Sequence, residues 1–188
     1  RALMVYTQKL KQHFKGCMTV LGGMEATIRR FTHFDYKDNK LRRGILNDTK
    51  ADLLIFGNAE RSILTILERM KSIKMDSFEK MRDKLDLGSI EGISFRIRRN
   101  EISNKIRKLP SYEDCIADKQ KFNLLTRTFY LLPDSAFIEG CGNGFIQHNR
   151  PCHTLAEKEM DYVYGAPFTR ELHPMSKNFE FNKRMVEN

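Results

Sequence analysis

Arg29 and Arg30 stand about one helical turn beyond the glycine-rich stretch Leu21-Gly22-Gly23-Met24-Glu25, and His33, Asp35 and Tyr36 follow closely. Two guanidinium groups near the free N–H groups of a helix start can clamp a carboxylate or phosphate. A histidine two residues from an aspartate can be held as an oriented acid or base. Each feature has a plainer alternative. Gly22-Gly23 meets the steric need of a tight strand-to-helix turn, Arg29 and Arg30 pair with Glu25 or Asp35, and His33 and Asp35 make a structural hydrogen bond. Cys141, His148, Cys152 and His153 invite a metal, but the sequence separations of seven, four and one fit no common zinc module, so no metal is expected. No residue is assigned a catalytic role.

These side chains need a scaffold, and the segment Ala51 to Met70 supplies its plan. Leu53-Leu54-Ile55-Phe56 is an unbroken apolar run between Asp52 and Gly57, the pattern of a strand covered on both faces. Ile63, Leu64, Ile66, Leu67 and Met70 then recur at helical spacing. The earlier run CMTVLGGMEATIRRF repeats the plan, with Met18 to Leu21 as strand and a helix opening near Glu25. Two successive strand-turn-helix units predict an α/β fold with a Rossmann-like parallel sheet and flanking helices, because parallel strands need a crossover between them. Ligands of such sheets bind at the carboxyl ends of the strands.

Elsewhere the pattern predicts a helix from Arg1 to Phe14 closed by Gly16, a loop over FTHFDY, and a helix over 37–47 burying Leu41, Ile45 and Leu46. Further along come a charged helix with Ile73, Phe78, Met81 and Leu85 as a thin apolar stripe, then GISFRIRR as a half-wet edge strand. Ser111 and Asp114 have capping-box spacing at the head of a helix that buries Cys115, Phe122, Leu125 and Phe129. Phe137-Ile138 and Gly144 to Ile146 form a candidate hairpin around 140–143, and EKEMDYVYG a short acidic helix. A boundary near residue 100 divides the chain into an α/β domain, 1–100, and a helical and irregular extension, 101–188.

With 188 residues the chain can bury a core without disulfides, and four dispersed cysteines with no long apolar run indicate a cytoplasmic setting and no membrane span. Its net charge of +9 is spread as pairs along helices, and the bland account is solvated faces. An anionic substrate is the sharper account. Nucleic acid is disfavoured because aromatics are not interleaved with the basic pairs. A chain opening on Arg1 within a helix is expected to be cut from a longer one.

The run GGMEATIRRFTHFDYKDNKLRRGILNDTKADLLIFGNAERSI resembles the amino-terminal domain of an incompletely characterised radical SAM family of the YgiQ type. LPSYEDCIADKQKF, followed by L-x-x-x-E-M-D-Y-V-Y-x-x-P-F-T-R-x-x-H-P, is similar to the segment joining that domain to the radical SAM barrel. The resemblance covers nearly the whole chain. More distantly, the GG-x-E turn is similar to half of a cobalamin-binding-like domain, although no D-x-H-x-x-G motif is present and bound cobalamin is not expected.

For the full-length protein the resemblance implies a 4Fe-4S cluster and S-adenosylmethionine, which require a C-x-x-x-C-x-x-C loop. That loop is absent here, so no cofactor is expected on this chain, and its partner is expected to be the radical SAM barrel of the same polypeptide. The implied role is a non-catalytic amino-terminal domain that covers the barrel and shapes its substrate pocket. An RNA- or polyanion-binding module and a stand-alone Rossmann-like domain for a small ligand are the alternatives. Carried over residue by residue, the substrate-facing or anion-binding positions are Gly22, Gly23, Glu25, Arg29, Arg30, His33, Asp35, Tyr36, Arg42, Arg43, Glu60, Arg61, Arg170 and His173. Ala59 replaces a glycine of the family's turn, and Arg150 stands where the family tends toward proline; both weaken a backbone-to-ligand contact there.

Overall fold

A computed structural model describes residues 2–73 and 81–169. Helix α1 (Ala2–His13) leads into strand β1 (Val20–Leu21) and helix α2 (Gly23–Ile28). A two-stranded hairpin follows, β2 (His33–Asp35) and β3 (Lys40–Arg42), then α3 (Ile45–Thr49), β4 (Leu53–Ile55) and α4 (Glu60–Lys71). The rest of the first compact unit, which ends at Cys152, holds β5 (Ile93–Ile97), β6 (Arg107–Lys108), α5 (Tyr112–Ala117), α6 (Lys119–Leu131), β7 (Phe137–Cys141) and β8 (Gly144–His148). A second unit begins at His153 and contains α7 (Glu157–Tyr164), the acidic helix read from the sequence.

Six strands form one sheet in the order β1-β4-β5-β8-β7-β6. The two strand-turn-helix units pair in parallel, Val20 opposite Leu53 and Leu21 opposite Leu54. β6 and β7 are also parallel, whereas β4/β5, β5/β8 and β7/β8 are antiparallel. The α/β class therefore holds, with a mixed sheet that is parallel at its two ends, β1/β4 and β6/β7. β4 is buried at every position, and its neighbours divide between two cores: Leu53 and Ile55 join Ile66, Leu85, Ile93 and Phe95, while Leu54 joins Leu21, Ala26, Leu46 and Ile146. Alternation across the pleat causes this, since successive side chains leave a strand on opposite faces. A third cluster, Phe31, Leu109, Cys115, Leu125 and Phe137, lies beneath α5 and α6.

Several local expectations are corrected. GISFRIRR is no edge strand: β5 lies between β4 and β8, with Leu54 opposite Ser94 and Phe95 opposite Gln147. Its alternating polar residues suggest a wet face; Arg98 is exposed, but Ser94 and Arg96 find partners inside. Ser94 Oγ bonds His148 Nδ1 at 2.9 Å, and the Arg96 guanidinium donates to the carbonyls of Ala51 and Leu46. The FTHFDY segment is strand β2 rather than loop, and the helix over 37–47 gives way to a turn and β3. That turn forms because Asp35 Oδ1 accepts from the Lys37 amide at 3.3 Å and Asn39 adopts a left-handed φ of 50°.

The helix that starts at Ser111 is capped as its spacing requires, Ser111 Oγ accepting from the Asp114 amide at 3.1 Å. It breaks at Asp118, whose carboxylate caps α6 through the Gln120 amide at 2.8 Å. The β7/β8 hairpin turns at 142–143, Cys141 facing Gly144. Position 100 falls within the span of the large sheet, β5 preceding it and β6, β7 and β8 following. Of the charged stripe, Phe78 lies outside the described residues, while Met81 and Leu85 are buried in the first core. No helix among the described residues is long and apolar enough to cross a membrane.

Candidate functional site

The chain leaving α2 makes one wall of a cleft. Arg29 closes the helix, its amide donating to the Glu25 carbonyl at 3.1 Å, and its own carbonyl accepts from the Ile45 amide at 2.8 Å. Arg29 to Thr32 are thereby pinned between α2 and α3. Gly44 is required for this closeness, since a Cβ there would press on the Arg30 carbonyl. Phe122, Thr126, Phe129 and Tyr130 of α6 supply the opposite wall, and Phe137 and His148 of the sheet lie beneath. The space enclosed is about 520 Å³, within the range of small-molecule sites.

Arg30 is the charge in this cleft. Its guanidinium carbon lies 4.7 Å from the ring centroids of both Phe31 and Phe56, and Nη1 donates to the Thr27 carbonyl at 2.7 Å. Burial pushes its pKa down, with the nearby Tyr130 opposing. Phe31 continues the aromatic wall, stacked on Phe129 at 4.9 Å and against His148 at 4.2 Å.

Below it runs a buried polar chain. Glu139 accepts from the Thr32 amide at 3.0 Å, its Oε2 lies 3.7 Å from His148 Nε2, and His148 Nδ1 bonds Ser94 Oγ. Desolvation pushes the His148 pKa below its ordinary 6.5, against the opposing pull of Glu139, so the ring is neutral near pH 7. Ser, His and Glu in this order have the outline of a nucleophilic triad. Ser94, however, is fully buried in the middle of β5, where no substrate carbonyl can reach its hydroxyl, and the chain acts as internal bracing.

The residues singled out in the sequence disperse over several places. Arg30 and His33 line the cleft, His33 Nδ1 donating to the Phe31 carbonyl at 3.1 Å. Arg29 Nη1 lies 3.6 Å from Glu25 Oε1, the plain ion pair. Arg42 lies against Asp38 and, at 3.7 Å, against the buried Asp35. Arg43 pairs with Asp48 at 2.5 Å, a hydrogen bond that holds its pKa up. Tyr36 is 87% exposed on the hairpin.

Gly22 and Gly23 form the turn after β1, where Gly23 needs its φ of +82°. Glu60 and Arg61 open α4 after Gly57, whose φ is +70°. Arg170 and His173 lie outside the described residues. Thr32, Ser94 and Glu139 carry no signal in the sequence, and His148 stands there only as a candidate metal ligand, because the contacts of Thr32 with Glu139 and of Ser94 with His148 join positions 107 and 54 residues apart. A buried histidine in an alternating strand was the one local hint.

The cysteines do not fit an iron-sulfur cluster. Cys115 is buried, with burial raising its thiol to about 12; burial also raises Cys141, which packs near Arg43, and Cys152 lies 3.1 Å from Ser62 Oγ. Among the described residues no group of three or more His, Cys, Asp or Glu is placed to hold a metal ion.

The radical SAM N-terminal family model matches residues 1–184. Among curated proteins, a UPF0313 protein of Methanocaldococcus jannaschii is 37% identical over 179 residues, covering 93% of this chain and 28% of the relative. A UPF0313 protein of Fusobacterium nucleatum is 34% identical over 183 residues, covering 94% and 30%, and one of Clostridium botulinum strain 657 is 33% identical over 180 residues, covering 93% and 27%. The chain thus spans under a third of the length of these relatives. No solved structure matches it.

Proposed function

This chain belongs to the radical SAM N-terminal family, and from that premise we propose that it is the non-catalytic amino-terminal domain of a cytoplasmic radical SAM 4Fe-4S enzyme, covering the barrel and shaping its substrate pocket. The observation that carries this role is an uncovered apolar face at the β1 edge of the sheet. Val20 is 41% exposed, and on α4 Ile63 and Leu67 are 43% and 48% exposed. Val20, Leu21, Gly22, Ala59, Ile63 and Leu67 line one shallow groove of about 310 Å³ there.

Gly22 in that groove belongs to the turn at the carboxyl end of β1. An apolar patch continuous with an open strand edge is ordinarily covered by another body. The remaining two-thirds or more of a protein as long as the relatives can supply that body, together with the cluster-binding thiolates that this chain's cysteines do not provide.

The test uses the full-length polypeptide purified without oxygen, with iron counted and S-adenosylmethionine cleavage assayed. Iron and cleavage are expected, and their absence overturns the proposal. The pair Ile63→Lys and Leu67→Lys, at surface positions, should change the stability of the 188-residue chain by no more than about 0.5 kcal/mol. In the full-length polypeptide the same pair should loosen the covered face and lower substrate-dependent turnover. Equal, negligible effects in both contexts would remove the covering role.

A further inference from the structure

We propose that the cleft beside Arg30 is a binding site for a small organic monocarboxylate with a flat apolar body, the carboxylate seated on Arg30 and the body against Phe31, Phe129 and Tyr130. The site lies within residues 27–151, so its occupancy is tested on this chain and goes beyond the covering role proposed above.

The first reason is an unbalanced charge. Arg30 is largely buried, yet no carboxylate among the described residues pairs with it, and the Thr27 carbonyl satisfies only Nη1. Nε is shielded from water and has no hydrogen-bond partner. A desolvated cation faced only by two rings and one carbonyl is costly, and a carboxylate that accepts two parallel N–H bonds is the complement of a guanidinium fork. The second reason is convergence. Thr32 Oγ1 is also buried without a hydrogen-bond partner, and Thr32 lines the same cleft. Two stranded polar atoms on one cavity wall, with aromatic side chains around them, make the composition of a ligand pocket rather than of a packed core.

The class of ligand follows from the charges nearby. Arg30 is the one guanidinium in the lining, beside the imidazoles of His33 and the neutral His148, and the buried Glu139 carboxylate lies behind His148. One negative charge is balanced there, while a phosphate dianion would leave an excess facing Glu139. The stacked Phe31 and Phe129 rings favour a planar body over a branched one.

Titrating the ¹⁵N-labelled protein with benzoate, benzamide and phenyl phosphate, read by chemical shift, tests each element. Benzoate should bind saturably, shift Thr32 and His148, and bind at least about tenfold more tightly than benzamide, the neutral isostere. Phenyl phosphate should bind more weakly than benzoate. Arg30→Met should lose at least about tenfold in benzoate affinity, whereas Lys71→Met, exposed on α4 and outside the cleft lining, should leave it unchanged. Arg30 also braces the α2 exit, so the comparison of benzoate with benzamide on the unaltered protein decides the matter even if Arg30→Met unfolds. No saturable binding of any probe, equal affinity for benzoate and benzamide, tighter binding of phenyl phosphate, or full affinity in folded Arg30→Met each overturns the proposal.

Discussion

Acidification should destabilise this protein through His148 before its carboxylates titrate. The imidazole is fully buried, and desolvation sets its folded pKa below the 6.5 it regains on unfolding. Below pH 6.5 the unfolded chain therefore binds a proton that the folded chain refuses, and stability falls with pH until the folded pKa is reached. Above about pH 7.5 the contribution is flat. Integrated between pH 7.5 and 5.5, the loss has a ceiling of about 1.4 kcal/mol, the figure for a folded ring that takes up no proton over that range. Urea unfolding followed by circular dichroism at half-unit steps gives the profile directly.

His148→Gln, which keeps a partner for Ser94 but cannot titrate in this range, should lower stability at pH 7.5 by about 1–3 kcal/mol. It should also flatten the slope between 7.5 and 5.5 by the amount just given. Parallel slopes in the two proteins would refute the assignment. A gain of stability on acidification would mean that His148 takes the proton and pairs with the ionised Glu139, 3.7 Å away, strongly enough to outweigh desolvation.

Three further perturbations address the scaffold. Gly44→Ala should cost about 1–3 kcal/mol by pressing on the Arg30 carbonyl, seen as a lower urea midpoint and faster exchange of the Ile45 amide. Arg96→Met strands the Ala51 and Leu46 carbonyls beside β5 and should cost about 2–5 kcal/mol in the same assay; a neutral result would mean that water replaces the guanidinium. Ser111→Ala should cost about 1 kcal/mol by removing the α5 cap, and should raise the Asp114 pKa, which the Ser111 hydrogen bonds now hold down, in a carboxyl-carbon NMR titration.

What the sequence disclosed and what it hid divide by range. The Ser111 to Asp114 cap, the hairpin around 142 and the pairing of two strand-turn-helix units are set by neighbours within a few residues or by a repeated local plan, so spacing alone exposed them. β5 was misjudged because alternation reports polarity and not water. Ser94 and Arg96 are polar yet satisfied by residues 45 to 54 positions away, which no local window contains. The cleft was half legible for the same reason: Arg30 and His33 lie on one local segment, but the opposite wall arrives from α6, and His148 and Glu139 from a hairpin more than 100 residues on.

The same contrast separates the arginines. Arg29, Arg42, Arg43, Arg69, Arg82, Arg98 and Arg150 each lie against a carboxylate, so much of the basic surface is internally answered and needs no polyanion. Arg30 and Arg96 both have a pKa that burial drives down. They resolve that cost differently. Arg96 is shared between two backbone carbonyls across the α3 exit, and serves as a structural tie. Arg30 has one carbonyl, two ring faces and an unsatisfied Nε beside a 520 Å³ space. Equal burial with unequal satisfaction makes one arginine part of the frame and leaves the other with donors to spare for a molecule that enters the cleft.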